Sequence, residues 1–303
     1  MRRILILFLF SHGLFAQDGP YIYVLGVVQD AGYPQIGCYQ PHCMPAWENP
    51  AMRRGATSIA VIEPQSKNKY LFEATPHVPS QLYLLEQEAP DSEYTLSGVF
   101  LTHAHIGHYT GLMFFGFEAM NARELPVYAM PRMAEYLANN GPWSQLIAFE
   151  NIHINNLQAD RPVHFDQVDI TPYLVPHRDE FSETVGYRIS GPQRAALFIP
   201  DINKWEIWER DIVDEVRAVD YALIDASFYD STELPGRNMA DIPHPFVVES
   251  MALFEELTIE ERNKVWFIHL NHTNPLLDEE SSAYQSVREQ GYNVAREGDR
   301  LPL

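Results

Sequence analysis

Short apolar segments recur along the chain, and turn residues bound each of them. These segments are rich in β-branched and aromatic residues, which is the pattern of strands buried within a sheet. The predicted strands are YIYVLGVV, TSIAVIE, KYLFEA, SGVFLT, LPVYAM, ITPYLVP, TVGYRIS, RAALFIPD, YALIDAS and KVWFIH. Helical patterns separate them at VPSQLYLLEQEA, PRMAEYLANNG, EIWERDIVDEVRAV and PFVVESMALFEELT. Strands interspersed with helices predict an α/β fold in which helices cover sheets.

Polar side chains that bind metals follow several of these strands directly. Three histidines occur within six residues after SGVFLT, and single candidates follow YLVP, ALFIP and VWFI. Loops at strand ends project side chains into a common cleft while the sheet holds them rigid. The pattern therefore predicts a shared site from His103, His105, His108, His177, Asp201 and His269.

The spacing of the first three histidines favours metal ligands. His103 and His105 are two residues apart on an extended turn, so both suit one ion, and His108 suits a second ion beside it. The alternative for any single histidine is a half-buried residue satisfied by hydrogen bonds, but three in six residues favour a metal site. Neutral imidazoles with a carboxylate suit zinc, with iron or manganese as alternatives. His153 and His164 do not follow these strands and are interpreted as surface or loop histidines.

In this order and spacing, the histidines and Asp201 resemble the metallo-β-lactamase superfamily. Its motif H-x-H-x-D-H is followed by a strand-end histidine, a bridging aspartate and a final histidine. The resemblance covers nearly the whole chain after residue 16, and it implies a four-layer αβ/βα sandwich formed by a single domain, residues 17–303. It also implies a first ion held by His103, His105 and His177, and a second held by His108, Asp201 and His269, with Asp201 bridging the two.

Further segments extend the resemblance. VLGVVQDAGYPQIGC, VPHRDEFSETVGYRI, LIDASFYD and FIHLNHTNPLL resemble the pyrroloquinoline quinone biosynthesis protein B group. The segment IPHPFVVESM resembles the part of long-form phosphodiesterases such as tRNase Z that carries an extra catalytic histidine, which implies a catalytic His244; the alternative is a residue near a helix N-terminus. Glu73 in YLFEATP occupies the first motif of the superfamily, where it either braces the histidine loop or is a surface charge.

One position departs from the superfamily motif. Gly107 stands where an aspartate normally binds the second metal, and glycine has no side chain to offer. The second ion would then have one negative charge fewer, with His272 or water filling the gap. The alternative is a site for one ion, in which Gly107 only makes a tight turn.

The net charge of the chain limits the classes of binding partner, and its N-terminal sequence predicts where the protein is located. The 303-residue chain has a formal net charge of −20, which disfavours nucleic acid and leaves a small-molecule substrate. MRRILILFLFSHGLFA has two arginines, a short apolar run and a small residue at its end, which predicts a signal peptide over residues 1–16. We therefore expect export to the periplasm or the medium without a membrane anchor. The oligomeric state is left open.

The only two cysteines lie close together in GCYQPHCMPAW. In an exported protein, Cys38 and Cys43 favour a disulfide or two free thiols. The alternative is a structural zinc site with His42, which would need a fourth ligand from elsewhere.

Together these features predict an enzyme. The first hypothesis is a metal-dependent hydrolase in which metal-activated water attacks an ester, lactone or phosphoester and His244 or His272 protonates the leaving group. The alternative is an iron-dependent oxygenase, which the quinone-biosynthesis resemblance permits. A binding protein with a degenerate site is disfavoured because the ligand set is nearly complete.

Overall fold

The computed structural model describes residues 19–303. The predicted signal peptide, residues 1–16, lies outside the described residues and stays a prediction, as does the boundary of the mature domain. None of the helices in residues 19–303 is both long and apolar enough to cross a membrane.

Fourteen strands in residues 19–303 form two mixed seven-stranded sheets. The first sheet has the spatial order β14, β1, β2, β3, β4, β5, β6, with β1 Tyr21–Gly26, β2 Ser58–Glu63, β3 Asn68–Phe72, β4 Thr95–Phe100, β5 Leu125–Ala129, β6 Ile152–Asn156 and β14 Arg300–Pro302. The second has the order β13, β12, β11, β10, β9, β8, β7, with β7 Val163–His164, β8 Asp169–Leu174, β9 Val185–Ser190, β10 Ala195–Ile199, β11 Tyr221–Asp225, β12 Val265–Ile268 and β13 Asn293–Val294. All ten predicted strands are present.

Helices cover the outer face of each sheet. They are α1 Met44–Glu48, α2 Val78–Glu88, α3 Ile106–Tyr109, α4 Pro131–Asn139, α5 Trp143–Ala148, α6 Ile212–Arg217, α7 Val247–Leu253, α8 Ile259–Arg262 and α9 Ser282–Glu289. Short 3₁₀ segments occupy Pro50–Met52, Thr110–Phe115, Trp205–Ile207, Met239–Asp241, Phe254–Glu256 and Pro275–Leu277.

The predicted helix over EIWERDIVDEVRAV is wrong in its first half. The side chain of Asp211 accepts hydrogen bonds from the N–H groups of Val213 and Asp214, so α6 begins only at Ile212. Because an N-cap residue has non-helical backbone angles, Asp211 separates α6 from the 3₁₀ turn before it.

The packing of alternate residues explains why the strands are apolar on both faces. In β2, Ile59 and Val61 join the core between the sheets, whereas Ala60 and Ile62 join the core beneath the helices of the first sheet. A third core lies between the second sheet and α6, α7 and α9. The four-layer αβ/βα sandwich is therefore confirmed.

Phe100, the last residue of β4, is completely buried between the sheets. Its ring stacks on Tyr128 with centroids 4.4 Å apart and on Phe72 at 4.9 Å. Removing a buried phenylalanine side chain costs its transfer free energy plus that of the cavity. We expect Phe100→Ala to lower the free energy of unfolding by about 3–5 kcal/mol, measured by urea denaturation.

The matched control is Phe117→Ala, since the side chain of Phe117 is 62% exposed. It should lower the free energy of unfolding by less than about 1 kcal/mol. Equal losses in the two variants would contradict the core described here.

Candidate metal centre

The metal-competent side chains lie at one edge shared by both sheets. β3 and β4 are parallel, and so are β10, β11 and β12, so the carboxyl ends of these strands point the same way within each sheet. Thr102, just after β4, accepts a backbone hydrogen bond from Val185 of the second sheet, which joins the two edges. Side chains from separate loops therefore meet in one place.

The first cluster contains His103, His105, His177 and Asp201, whose candidate ligand atoms all lie within 4.8 Å of one another. Nε2 of His103 is 3.3 Å from Oδ2 of Asp201, and Nε2 of His177 is 3.2 Å from the same oxygen. Nδ1 of His105 lies 2.9 Å from Nε2 of His103 and 3.2 Å from Nε2 of His177. Three imidazole nitrogens and one carboxylate oxygen thus converge on one point.

In each of the three histidines of the first cluster, the ring nitrogen that points away from the cluster contacts a neighbouring polar side chain. Nδ1 of His103 lies 2.8 Å from Oγ1 of Thr102, and Nδ1 of His177 lies 3.2 Å from Oδ1 of Asn203. Nε2 of His105 lies 3.2 Å from a carboxylate oxygen of Glu180. Such outer partners set the tautomer and the direction of a ligating histidine.

The second cluster contains His108, His269 and Asp30. Oδ1 of Asp30 is 3.3 Å from Nε2 of His108 and 3.7 Å from Nε2 of His269. Nε2 of His108 is also 3.6 Å from Oδ2 of Asp201, so the two clusters adjoin at that aspartate. Asp30 was not among the predicted ligands, although it follows β1 closely and shares the strand-end position of the others.

Glu73 and Ser227 hold the rings of the second cluster from behind. Nδ1 of His108 lies 2.8 Å from Oε2 of the buried Glu73, and Nδ1 of His269 lies 3.0 Å from Oγ of Ser227. Glu73 also accepts the backbone N–H of Thr102 at 3.0 Å. Glu73 is therefore a buried brace of the histidine loop and not a surface charge.

Two of these residues have backbone angles that are rare for side chains of their size. Glu73 has a φ of 73° and His269 a φ of 66°, both in the left-handed region. Such strained positions persist only where the surroundings over-determine them, and they concentrate at functional sites. Around His269, Leu270 donates to the carbonyl of Val27 and Asn271 donates to that of Ser227, both at 2.8 Å.

His244 lies beside both clusters. Its Nδ1 is 2.7 Å from Oδ2 of Asp225 and 3.3 Å from Oδ1 of Asp201. Asp225 is completely buried and also accepts from the backbone of Ile202 and from Ser227. Asp225 is a second residue that sequence analysis missed, although it ends β11 as Asp201 follows β10.

The buried charges of the second cluster favour protonated histidines. Burial alone would lower the pKa of His108, but Glu73 and Asp30 outweigh it and hold that pKa well above its usual value. Burial is likewise outweighed for His269, where Asp225 and Asp30 raise the pKa to about 9. A cation that enters this cluster must therefore displace protons.

In the first cluster, the pKa values of His103 and Asp201 are both lowered. Burial, with the neighbouring His108, lowers the pKa of His103 well below its usual value. Burial would raise the pKa of Asp201, but His244 and His177 hold it well below its usual range. The first cluster thus presents a neutral His103 imidazole and an ionised Asp201 carboxylate, which are the states that bind a divalent cation.

The sequence model of the beta-lactamase superfamily domain matches residues 68–270, which carry most of these side chains. The chain belongs to this superfamily. Coenzyme PQQ synthesis protein B of Methylobacterium sp. (strain 4-46) is 24% identical to it, over 92% of this chain and 99% of the relative. A zinc-bound crystal structure of PqqB from Methylobacterium extorquens superposes with a TM-score of 0.76 at 21% identity, covering 93% of this chain and 100% of that one. A diphosphatase of the PhnP family superposes with a TM-score of 0.65 at 20% identity, covering 94% and 98%.

These comparisons confirm the superfamily and the full-length, distant relationship to PqqB. The protein has the metallo-β-lactamase fold of metal-dependent hydrolases, and its two histidine and aspartate clusters are typical of the two-metal site in this superfamily.

The superfamily motif is interrupted at Gly107, and the structure corrects what fills the gap. His272 does not lie with His108 and His269; it lies with Cys38, His42 and Cys43, its ring centroid 5.5 Å from that of His42. Asp30 stands beside Gly107 instead. The His272 ring thus lies beside the cysteine loop and outside both clusters, and the role of proton donor expected for it stays a prediction.

The two cysteines are joined as a disulfide, the first of the two expected arrangements. His153 and His164 are exposed and lie outside both clusters, as their positions in the sequence indicated.

Proposed function

We propose that this protein is a metal-dependent hydrolase that acts on an ester, lactone or phosphoester of a small molecule. The observation that carries the proposal is the pair of adjoining clusters, in which His103 and His108 face the same oxygen of Asp201 at 3.3 and 3.6 Å. Adjacent ligand sets with a shared carboxylate suit two ions acting on one substrate.

The donor atoms fit divalent cations. Nε2 of His108, Nε2 of His269 and Oδ1 of Asp201 are buried and make no hydrogen bond within the described residues. A buried polar atom without a partner costs about 1–3 kcal/mol, which ligation of a cation would offset. The first ion would be held by His103, His105 and His177, the second by His108 and His269, with Asp201 between them. Imidazole and carboxylate ligands suit zinc, with iron or manganese as alternatives.

The side chains around the clusters provide the rest of the chemistry. When bound there, a divalent cation lowers the pKa of a coordinated water towards about 7, so that hydroxide forms at neutral pH. Asp225 accepts from Nδ1 of His244. Burial would lower the pKa of His244, but Asp225 and Asp201 raise it, which favours the imidazolium that donates its Nε2 proton to the leaving group. His244 is thus the proposed general acid.

An oxygenase that uses ferrous iron is the second candidate. The observation in its favour is the full-length similarity to proteins named for coenzyme PQQ synthesis. The same histidine and carboxylate ligands can hold ferrous iron with open positions.

A substrate panel separates the two candidates. The protein is loaded with Zn²⁺ and tested on a chromogenic phosphodiester, a phosphomonoester, a carboxylic ester and a lactone, each with and without oxygen. We expect turnover of at least one class that is independent of oxygen and lost on chelation. Absence of hydrolysis, with oxygen consumption by the Fe²⁺-loaded protein, would favour the oxygenase and contradict our proposal.

A further inference from the structure

We propose that Asp30, in the loop after β1, is a ligand of the second metal ion and supplies the carboxylate that Gly107 lacks. This inference rests on the proposed metal-dependent function and adds a residue that lies far from the superfamily motif in the sequence.

The carboxylate of Asp30 faces Nε2 of His108 and Nε2 of His269, which have no hydrogen-bond partner in the described part of the chain. Its Oδ1 is 3.3 Å from Nε2 of His108 and 3.7 Å from Nε2 of His269. Both nitrogens are buried and make no hydrogen bond to any residue of 19–303, whereas the far nitrogens of both rings are held by Glu73 and Ser227. Two imidazoles oriented from behind and a carboxylate in front form a three-ligand set, next to the shared Asp201.

The space around Gly107 shows that Asp30 replaces the motif aspartate. A β-carbon at position 107 would lie 2.4 Å from Cα of Asp30, 2.4 Å from its Oδ1 and 2.5 Å from its Cβ. Gly107 is not among the glycines with positive φ, so a lack of space and not the backbone angle excludes a side chain here. Only one of the two positions can carry the carboxylate, and this chain carries it at residue 30.

Hydrogen bonds attach the Asp30 loop to the loop of His269. The backbone N–H of Gln29 donates to the carbonyl of Leu270 at 2.9 Å. The side chain of Gln29 donates to Oγ of Ser227 at 3.1 Å, and that hydroxyl also contacts His269. Gly32 closes the turn by donating to the carbonyl of Gln29 at 2.8 Å. The Asp30 side chain, which is 44% exposed, is thereby held at the mouth of the cluster.

Including Asp30 changes the number of negative charges around the second ion. With Asp30, the second ion has two imidazoles, one carboxylate of its own and the shared Asp201, so it does not lack a negative charge. An aspartate at position 107 would displace Asp30 and exchange one carboxylate for another. On steric grounds, Gly107→Asp would therefore not add a ligand to the second site.

The experiment measures Zn²⁺ content and affinity in the full chain, by elemental analysis after gel filtration and by competition with a chromophoric chelator. Asp30→Asn keeps the shape and removes the charge. We expect the wild type to hold two ions and Asp30→Asn to hold one tightly. The dissociation constant of the second ion should rise by at least about 100-fold, since even outer-shell changes cost about 10- to 100-fold.

Two further variants sharpen the test. Gly107→Ala changes none of the proposed ligand residues, but its β-carbon would push the Asp30 carboxylate away from the cluster, so it should lose the second ion too. Asp169→Asn is the matched control, because Asp169 is 49% exposed and also contacts an imidazole, that of His164 at 2.7 Å, outside the clusters. It should keep both ions. Retention of the first ion in every variant reports that the fold is intact.

The possible results separate this inference from the proposed function. Two ions of wild-type affinity in Asp30→Asn, or a single ion in both the wild type and Asp30→Asn, would overturn the role of Asp30 and leave a metal-dependent hydrolase standing. A wild type that holds no Zn²⁺ would overturn both. In the Mn²⁺-loaded protein, the spin-coupled electron paramagnetic resonance signal of an ion pair should be present in the wild type and absent in Asp30→Asn.

Discussion

His103→Ala and His105→Ala should each abolish tight binding of the first metal ion. Both imidazoles point a nitrogen at the position enclosed by His177 and Asp201, and alanine leaves that position with one ligand fewer. Loss of an outer-shell partner already costs about 10- to 100-fold in metal affinity, so loss of a direct ligand should cost more. Elemental analysis of each purified variant, with chelator competition for Zn²⁺, measures the effect.

The matched controls are His153→Ala and His164→Ala. The side chains of His153 and His164 are exposed and lie outside the clusters, so both variants should keep the metal content of the wild type. Equal loss in the two pairs would mean that the protein binds metal at surface histidines, and the ligand set proposed here would be wrong.

His244→Ala should lower kcat for substrates with poor leaving groups by about 10²- to 10⁴-fold and leave the metal content unchanged. His244 contacts Asp225 and Asp201 through Nδ1, which leaves Nε2 to protonate a departing alkoxide. The measurement is kcat for an alkyl ester or alkyl phosphodiester, with metal content determined on the same sample.

A substrate with a p-nitrophenolate leaving group separates catalysis from structure. This group departs without a proton, so His244→Ala should lose little activity on it. His153→Ala should behave as the wild type on both substrates. Equal losses on good and poor leaving groups would contradict the role of His244 as a general acid and indicate that it only positions Asp201.

Much of the fold follows from local sequence. Strands such as β2 and β12 are buried on both faces, so their continuous apolar runs stand out, and the structure has them within a residue or two of the prediction. The short strands β13 and β14 escaped prediction because two or three residues carry no periodicity. The Asp211 cap within a predicted helix was missed because an apolar period of 3.6 outweighed a single capping residue.

The residues that hold the histidines from behind were harder to predict from the sequence. The superfamily motif indicated Glu73, but not whether it is a buried brace or a surface charge. Only the folded structure decides this, because it brings His108 to within 2.8 Å of the Glu73 carboxylate. Asp225 and Ser227 received no role, since the segment around them indicated only a resemblance. Their contacts join the end of β11 to His269, just after β12, and to His244, in the segment before α7.

By itself, the sequence determined the layered α/β fold and the histidines and aspartate at strand ends, because a strand that ends in a metal-competent side chain carries both signals in adjacent residues. Only the tertiary structure decided what stands at the gap left by Gly107. Asp30 occupies that space and His272 lies with the cysteine loop, and neither position can be read from neighbouring residues. The reason is steric: residue 30 lies in the loop after β1 and residue 107 in α3, and folding brings them so close that only one of them can carry a side chain.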